Sequence, residues 1–251
     1  LEFVRNAAAS NDERDASQSS GDFYGEEKIQ LKDLSLLLQG RYSNASKGAW
    51  TYDISATYPI DNWKLATHFG TGFRNPSLYE RYGAFLTGFG IFDIGNTNLS
   101  PEKSYTWDGT IQYSDKVNTV GITPFISHIG NPVVLETAFY ANSETPRDAH
   151  GLEAFYERYF GDFSYRANYT YTTGENLIDI PKHELGNSII FCKDKLSGSF
   201  RVAYQTSKNF ATFSLDTFTA SKVKENGGFV VGLTTNYQLS KNIELFAKID
   251  N

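Results

Sequence analysis

The sequence has a single cysteine, Cys192, and no methionine in 251 residues. A lone thiol excludes an internal disulfide framework and a cysteine-only metal site. No apolar run approaches the roughly 20 residues that a spanning helix needs, and mean hydropathy is -0.41. No charged and apolar leader opens the chain, which reads as a stretch of a longer protein. A basic surplus is also lacking. The net charge of -6 and a pI of about 5.3 argue against a nucleic-acid partner. There is no GxSxG or other nucleophile motif, and no glycine loop opens a helix that would cradle phosphate. His68, His128, His150 and His183 lie at no metal-ligand spacing from one another. These absences point away from an enzyme, and no cofactor is expected.

Aromatic residues are abundant: 16 Tyr, 19 Phe and 3 Trp make 15% of the chain. An apolar ring with a polar tip suits a membrane–water boundary. Period-two alternation dominates beyond the opening residues. Leu34, Leu36, Leu38, Gly40 and Tyr42 alternate with Ser35, Leu37, Gln39 and Arg41. Trp50, Tyr52, Ile54, Ala56 and Tyr58 oppose Thr51, Asp53, Ser55 and Thr57. Trp63, Leu65, Thr67, Phe69, Thr71 and Phe73 oppose Lys64, Ala66, His68, Gly70, Gly72 and Arg74. The pattern recurs over 105–113, 163–172, 199–205, 229–238 and 243–250. Weaker strands fit Val117–Ser127, Val133–Tyr140, Gly151–Phe160 and Glu184–Cys192. No stretch has a helical period, and residues 1–27 read as a polar loop leading into a strand.

Strands of roughly 9–12 residues match a tilted bilayer crossing, whereas soluble strands average about 5–6. Short connections (59–62, 114–116, 161–162, 193–195, 239–242) alternate with long ones (75–102, 141–148, 174–183, 207–227), as in an outer-membrane barrel. A soluble sandwich or lipocalin-like barrel also alternates. The charged residues on one face and the rings at strand ends favour the membrane form. The rings at Trp50 and Tyr58, Trp63 and Phe73, Tyr105 and Tyr113, and Phe163 and Tyr171 read as two girdles. The expectation is an all-β, antiparallel transmembrane barrel.

Residues Gly72 to Gly83, GFRNPSLYERYG, resemble the GFRAPSLYERYG stretch common in TonB-dependent receptors. Gly95 to Ser104, GNTNLSPEKS, is similar to that family's GNPNLKPEKS. Gly151-Leu152-Glu153 resembles its GxE strand start, Asn168 to Thr172 its NYTYTDA, and Ile249-Asp250-Asn251 the start of NLFDKxYE. The resemblance covers about residues 28–251. It implies a barrel of about 22 strands around a plug, with about twelve or thirteen strands present here and the plug outside the chain. It further implies a bacterial outer-membrane importer of an iron chelate or corrinoid, nearest to vitamin B12 and ferric-siderophore receptors. The implied partners are the TonB complex, acting through the plug, and outer-membrane lipid. The alternatives are a passive or structural barrel, and a phospholipase-type enzyme centred on His128.

Both motifs read as fold signatures. Pro76 ends strand pairing for want of an N–H donor, and Pro101 fixes a turn before the next strand. The candidate ligand-binding residues are Arg74 at the base of the long loop, Tyr79, Arg81, Tyr82, Phe85 and Phe89. Rings pack on a flat organic ligand, and arginine meets anionic groups. The competing reading has these rings packing the loop on itself or extending a girdle. His68 is expected on the wet face and Glu144 with Asp148 in a solvated acidic patch; His150 and His183 fall near loops, and a meeting of the two in space is the lesser reading.

Overall fold

The structure, a computed structural model, describes residues 2–8, 16–44, 48–87, 90–136, 139–214 and 219–251. The elements run β1 Glu2–Ala8, β2 Ala16–Leu31, β3 Leu34–Ser43, β4 Ala49–Ile60, β5 Trp63–Arg74, then α1 Leu78–Tyr82. Next come β6 Ala84–Thr87, β7 Gly90–Asp93, β8 Glu102–Ser114, β9 Asn118–Gly130, β10 Val133–Glu136 and β11 Phe139–Asn142. The remainder are β12 Arg147–Phe160, β13 Phe163–Glu175, β14 His183–Lys193, β15 Leu196–Gln205, β16 Lys208–Ser214, β17 Thr219–Glu225, β18 Gly228–Ser240 and β19 Ile243–Asp250.

Thirteen strands form one antiparallel sheet in the order β1-β2-β3-β4-β5-β8-β9-β12-β13-β14-β15-β18-β19. Within the described residues, β1 and β19 are its two edges. The other six strands pair only as hairpins, β6 with β7, β10 with β11 and β16 with β17. Because neighbours are antiparallel and in chain order, all three hairpins rise from the same rim. The opposite rim carries tight turns. Lys32, Asp61 and Asp194 adopt positive φ of 54°, 51° and 50° there, and Gly161 one of 61°, as two-residue hairpin turns favour.

Register confirms the two faces. Ile54 lies opposite Phe69, Phe69 opposite Trp107, Trp107 opposite Ile126, and Ile126 opposite His150. The neighbouring row places Ser55 opposite His68 and His68 opposite Asp108. Rings pair at both rims of the apolar face: Trp63–Tyr113 at 5.1 Å and Phe163–Phe191 at 4.8 Å by the turns, Tyr42–Trp50 at 5.0 Å and Tyr204–Phe229 at 4.6 Å by the loops.

Among the described residues, no second layer covers this sheet. Accessible surface is 16620 Å² for 28.1 kDa, against about 11,000 Å² for a compact monomer of that mass. The buried apolar residues among those described are Ile94, Leu99 and Val133, all at the loop rim. Rings such as Trp50, Tyr52 and Trp107 are exposed. A wall of this kind suits lipid on one side and water on the other.

Three sequence expectations need correction. Within the stretch 1–27 read as a loop, residues 2–8 form β1 and residues 16–27 belong to β2. The Ser, Gly, Asp and Glu residues of β2 are held extended by pairing with β1 and β3, against their propensity. Val133–Tyr140 does not join the wall. Its alternation belongs to β10, which folds back on β11. Residues 78–82 form a helix, because Ser77 and Glu80 cap one turn too short to show a period.

Neighbouring residues on opposite faces test the wall in the full-length protein. Ile126→Arg is expected to cost about 2–4 kcal/mol of stability in lipid vesicles, and Ser127→Arg close to nothing. Urea titration read by heat-modifiable gel migration measures both.

Candidate functional site

Where β5 leaves the sheet, its last residue, Arg74, is gripped by two carboxylates. Its Nε donates to Glu102 Oε2 at 2.8 Å and Nη2 donates to Oε1 at 2.7 Å. Nη1 donates to both oxygens of Glu80, at 2.9 and 3.1 Å. Such forks fix direction as well as charge. Glu80 also accepts from the Ser77 backbone N–H at 2.6 Å, while Ser77 Oγ accepts from the Glu80 N–H at 3.1 Å. One carboxylate therefore caps α1 and holds Arg74. Burial pushes the Glu80 carboxyl up, but hydrogen bonds from Arg74 and Ser77 outweigh that and hold it below its ordinary value.

The second motif docks on the first. Gly95 lies against the end of α1, where a Cβ would come within 2.6 Å of the Arg81 carbonyl group and the Tyr82 nitrogen. Only glycine permits this approach. Asn96 N–H donates to Glu80 O at 2.9 Å. The next loop is tied in too. Val133 N–H donates to Glu102 Oε1 at 2.6 Å, Tyr140 N–H to Ile94 O at 2.8 Å, and Asn96 Nδ2 to Tyr140 O at 2.9 Å. Ser100 N–H donates to Asn142 Oδ1, whose amide donates back to Ser100 O. Pro76 and Pro132 are fully buried at this junction. The two loops thus form one packed clasp.

The clasp sorts the candidate residues. Tyr79 and Tyr82 are exposed, and Tyr79 meets Tyr140 edge-on at 6.3 Å. Arg81 is half-buried on the same helix. Phe85 lies on β6 opposite Phe92, with its side chain outside the described residues, as is the whole of Phe89. Arg74 is occupied by its carboxylates, which the sequence reading did not assign to it. Glu80 was legible from the Ser-x-x-Glu spacing, but Glu102, 28 residues away, had no local signal.

The histidines take separate places. His68 lies between Asp53 and Asp108, at 2.5 and 3.0 Å, on the polar face as expected. His128 bonds Asp148 at 2.6 Å and stacks on Tyr105. His183 bonds the Tyr169 hydroxyl at 2.8 Å. His150 and His183 do not meet, since β13 separates their strands.

Arg74→Ala would leave two carboxylates facing each other. It is expected to cost about 1–2 kcal/mol, less than a fully buried pair because the guanidinium is 46% exposed. Limited proteolysis of the loop reads this out. Arg74→Lys should not restore protection, since an ammonium cannot fork. Glu80 makes the clasp acid-sensitive. Its depressed value means the contribution is complete above the unfolded range of about 4.3 and is lost as pH falls through the folded value. Pepsin should cut the loop in acid, and cutting should cease when the sample is first returned to mildly acidic pH.

Residues 3–251 match the family described as TonB dependent receptor-like, beta-barrel. The ferric enterobactin receptor of Pseudomonas aeruginosa superposes with a TM-score of 0.76 at 17% identity, over 97% of this chain and 41% of that one. The siderophore receptor PirA of Acinetobacter baumannii gives 0.76 at 15%, over 96% and 42%. The FrpB iron transporter of Neisseria meningitidis gives 0.70 at 13%, over 95% and 42%. At such identities the likeness is one of fold, and this chain spans about two fifths of each receptor's length. With a family match over nearly its whole length and a wall that superposes on these receptors, the chain belongs to the TonB-dependent receptor β-barrel family.

Proposed function

We propose that this chain is barrel wall and outer mouth of a bacterial outer-membrane receptor that imports a ferric siderophore with energy supplied through TonB. The observation that carries the reading is the family match over residues 3–251, joined by structural neighbours whose names are those of siderophore receptors and an iron transporter. The family is one of transport receptors, so the phospholipase-type reading of His128 is set aside. The loop rim faces the exterior, and the clasp presents Tyr79 and Tyr82 there on a rigid base. Ligand binds at this mouth, TonB pulls on a plug inside the lumen, and the chelate passes along the polar face without covalent change.

Burying one ring is worth roughly 1.5–3 kcal/mol, so Tyr79→Ala with Tyr82→Ala in the full-length receptor should lower uptake of labelled ferric siderophore more than tenfold at limiting concentration. Barrel assembly, checked by gel migration, should be unchanged. Cobalamin uptake is measured in parallel; loss of that uptake alone would make the cargo a corrinoid. Uptake that persists in cells lacking TonB would mark a passive channel. Orientation is tested separately. A protease site placed within 207–227 should be cut in intact cells, and cutting only after the outer membrane is breached would reverse the assignment.

A further inference from the structure

The ring face of the wall carries a recess that import does not use. Tyr52, Phe69, Tyr105 and His128 follow one another across β4, β5, β8 and β9, with ring centroids 6.1, 6.5 and 4.8 Å apart. His128 ends the row, held at 2.6 Å by Asp148 on β12. Register sets Phe73, Lys103 and Gly130 side by side, one step nearer the loop rim. Gly130 has no side chain, so the wall is notched beside Lys103. The ring row, the notch and the exposed Trp50 bound a recess of about 680 Å³, within the roughly 300–1,000 Å³ usual for small-molecule sites.

Alternation sends the neighbours Glu102 and Lys103 to opposite faces. Glu102 turns into the clasp and holds Arg74, while Lys103 stands exposed among the rings. Among the described residues, Lys103 makes no ion pair. Asp148, two strands away on the same face, is engaged by His128. A lysine on the lipid side of a barrel is costly in mid-bilayer but tolerated near the interface. There its stem lies on apolar surface and its ammonium reaches polar headgroups. The recess thus offers a cation at its rim end and a floor of rings below it, which complement the two halves of an anionic lipid.

Resting on the reading of the wall as membrane-embedded with its loop rim outward, we infer that this recess seats one lipid with a net-negative phosphate headgroup. The phosphate meets the Lys103 ammonium, and an acyl chain lies along the Tyr52–Phe69–Tyr105 row. A zwitterionic headgroup brings its own cation towards Lys103 and is disfavoured. The seat lies on the opposite face from the Arg74 carboxylates, so it fills whether or not a chelate is bound at the mouth.

The test uses the purified full-length receptor in non-ionic detergent. It is titrated with phosphatidylglycerol or with phosphatidylcholine of the same chains, and retained lipid is counted by native mass spectrometry. One phosphatidylglycerol per receptor should be kept in preference to phosphatidylcholine. Lys103→Gln should weaken its retention about fivefold, the worth of one basic residue at a lipid surface, and added salt should weaken it in the wild type. Gly130→Leu fills the notch without touching the charge. A Cβ there would have His128 Nε2 as its nearest neighbour, at 3.5 Å, so the wall accepts the side chain and retention should again fall. Gel migration checks that both variants assemble. Equal retention of the two lipids, unchanged in both variants, would reduce the recess to ordinary lipid contact and overturn the site. Loss in Gly130→Leu without loss in Lys103→Gln would overturn the selection by charge. Displacement of the lipid by inorganic phosphate alone would make the ligand a free anion and overturn the lipid. Import is read separately: a receptor that keeps phosphatidylglycerol but imports no ferric siderophore upholds the site and removes the import reading, and the reverse removes the site alone.

Discussion

Every wall strand between the two edges satisfies its backbone N–H and C=O groups through its two neighbours, and among the described residues no second layer lies over the sheet. This constraint sets the rest of the structure. It requires long strands in unbroken antiparallel order, and it makes the cross-strand pair the unit of stability, at about 0.2–1 kcal/mol each. Side chains then divide strictly by face. Phe69, Trp107 and Ile126 follow one another along one row, and His68 with Asp108 along the next. The rings at both rims are the apolar pairs that remain available where the wall meets polar surroundings.

At the loop rim the chain leaves the ladder, and its backbone groups need other partners. That is where side-chain carboxylates and amides take over. Glu80, Glu102, Asn96 and Asn142 each receive or supply bonds to backbone groups that a strand neighbour would otherwise satisfy. It is also where the buried apolar residues Ile94, Leu99 and Val133 collect. Among the described residues, the small packed core therefore sits in the clasp between two loops. A rigid base of this sort lets Tyr79 and Tyr82 stand exposed without collapsing onto the wall.

The wall was legible because period two survives any loop length. Trp63 and Phe73 could be put on one face from spacing alone, and the register agrees. What was not legible follows from range and composition. β2 has the residues of a loop, and only its pairing with β3 holds it extended. β10 has the alternation of a wall strand, but its partner is six residues further on and not in the wall. The single turn of α1 leaves only its capping box to be read. The motif arginine, Arg74, looked available to a ligand because Glu102, 28 residues away, cannot be matched to it by spacing.

The same distinction separates one cation from another. Arg74 lies in the stretch that most resembles the family, and its charge is committed to Glu80 and Glu102, which together outweigh it. Arg147 and Lys222 lie outside every motif, on segments that only the folded wall brings together. A charge whose partners lie within the clasp holds two loops together, so the motif around Arg74 marks a joint of the fold. Arg147 is itself a rung of the ladder, paired with Ile129, and Lys222 lies on the β16–β17 hairpin beside the wall.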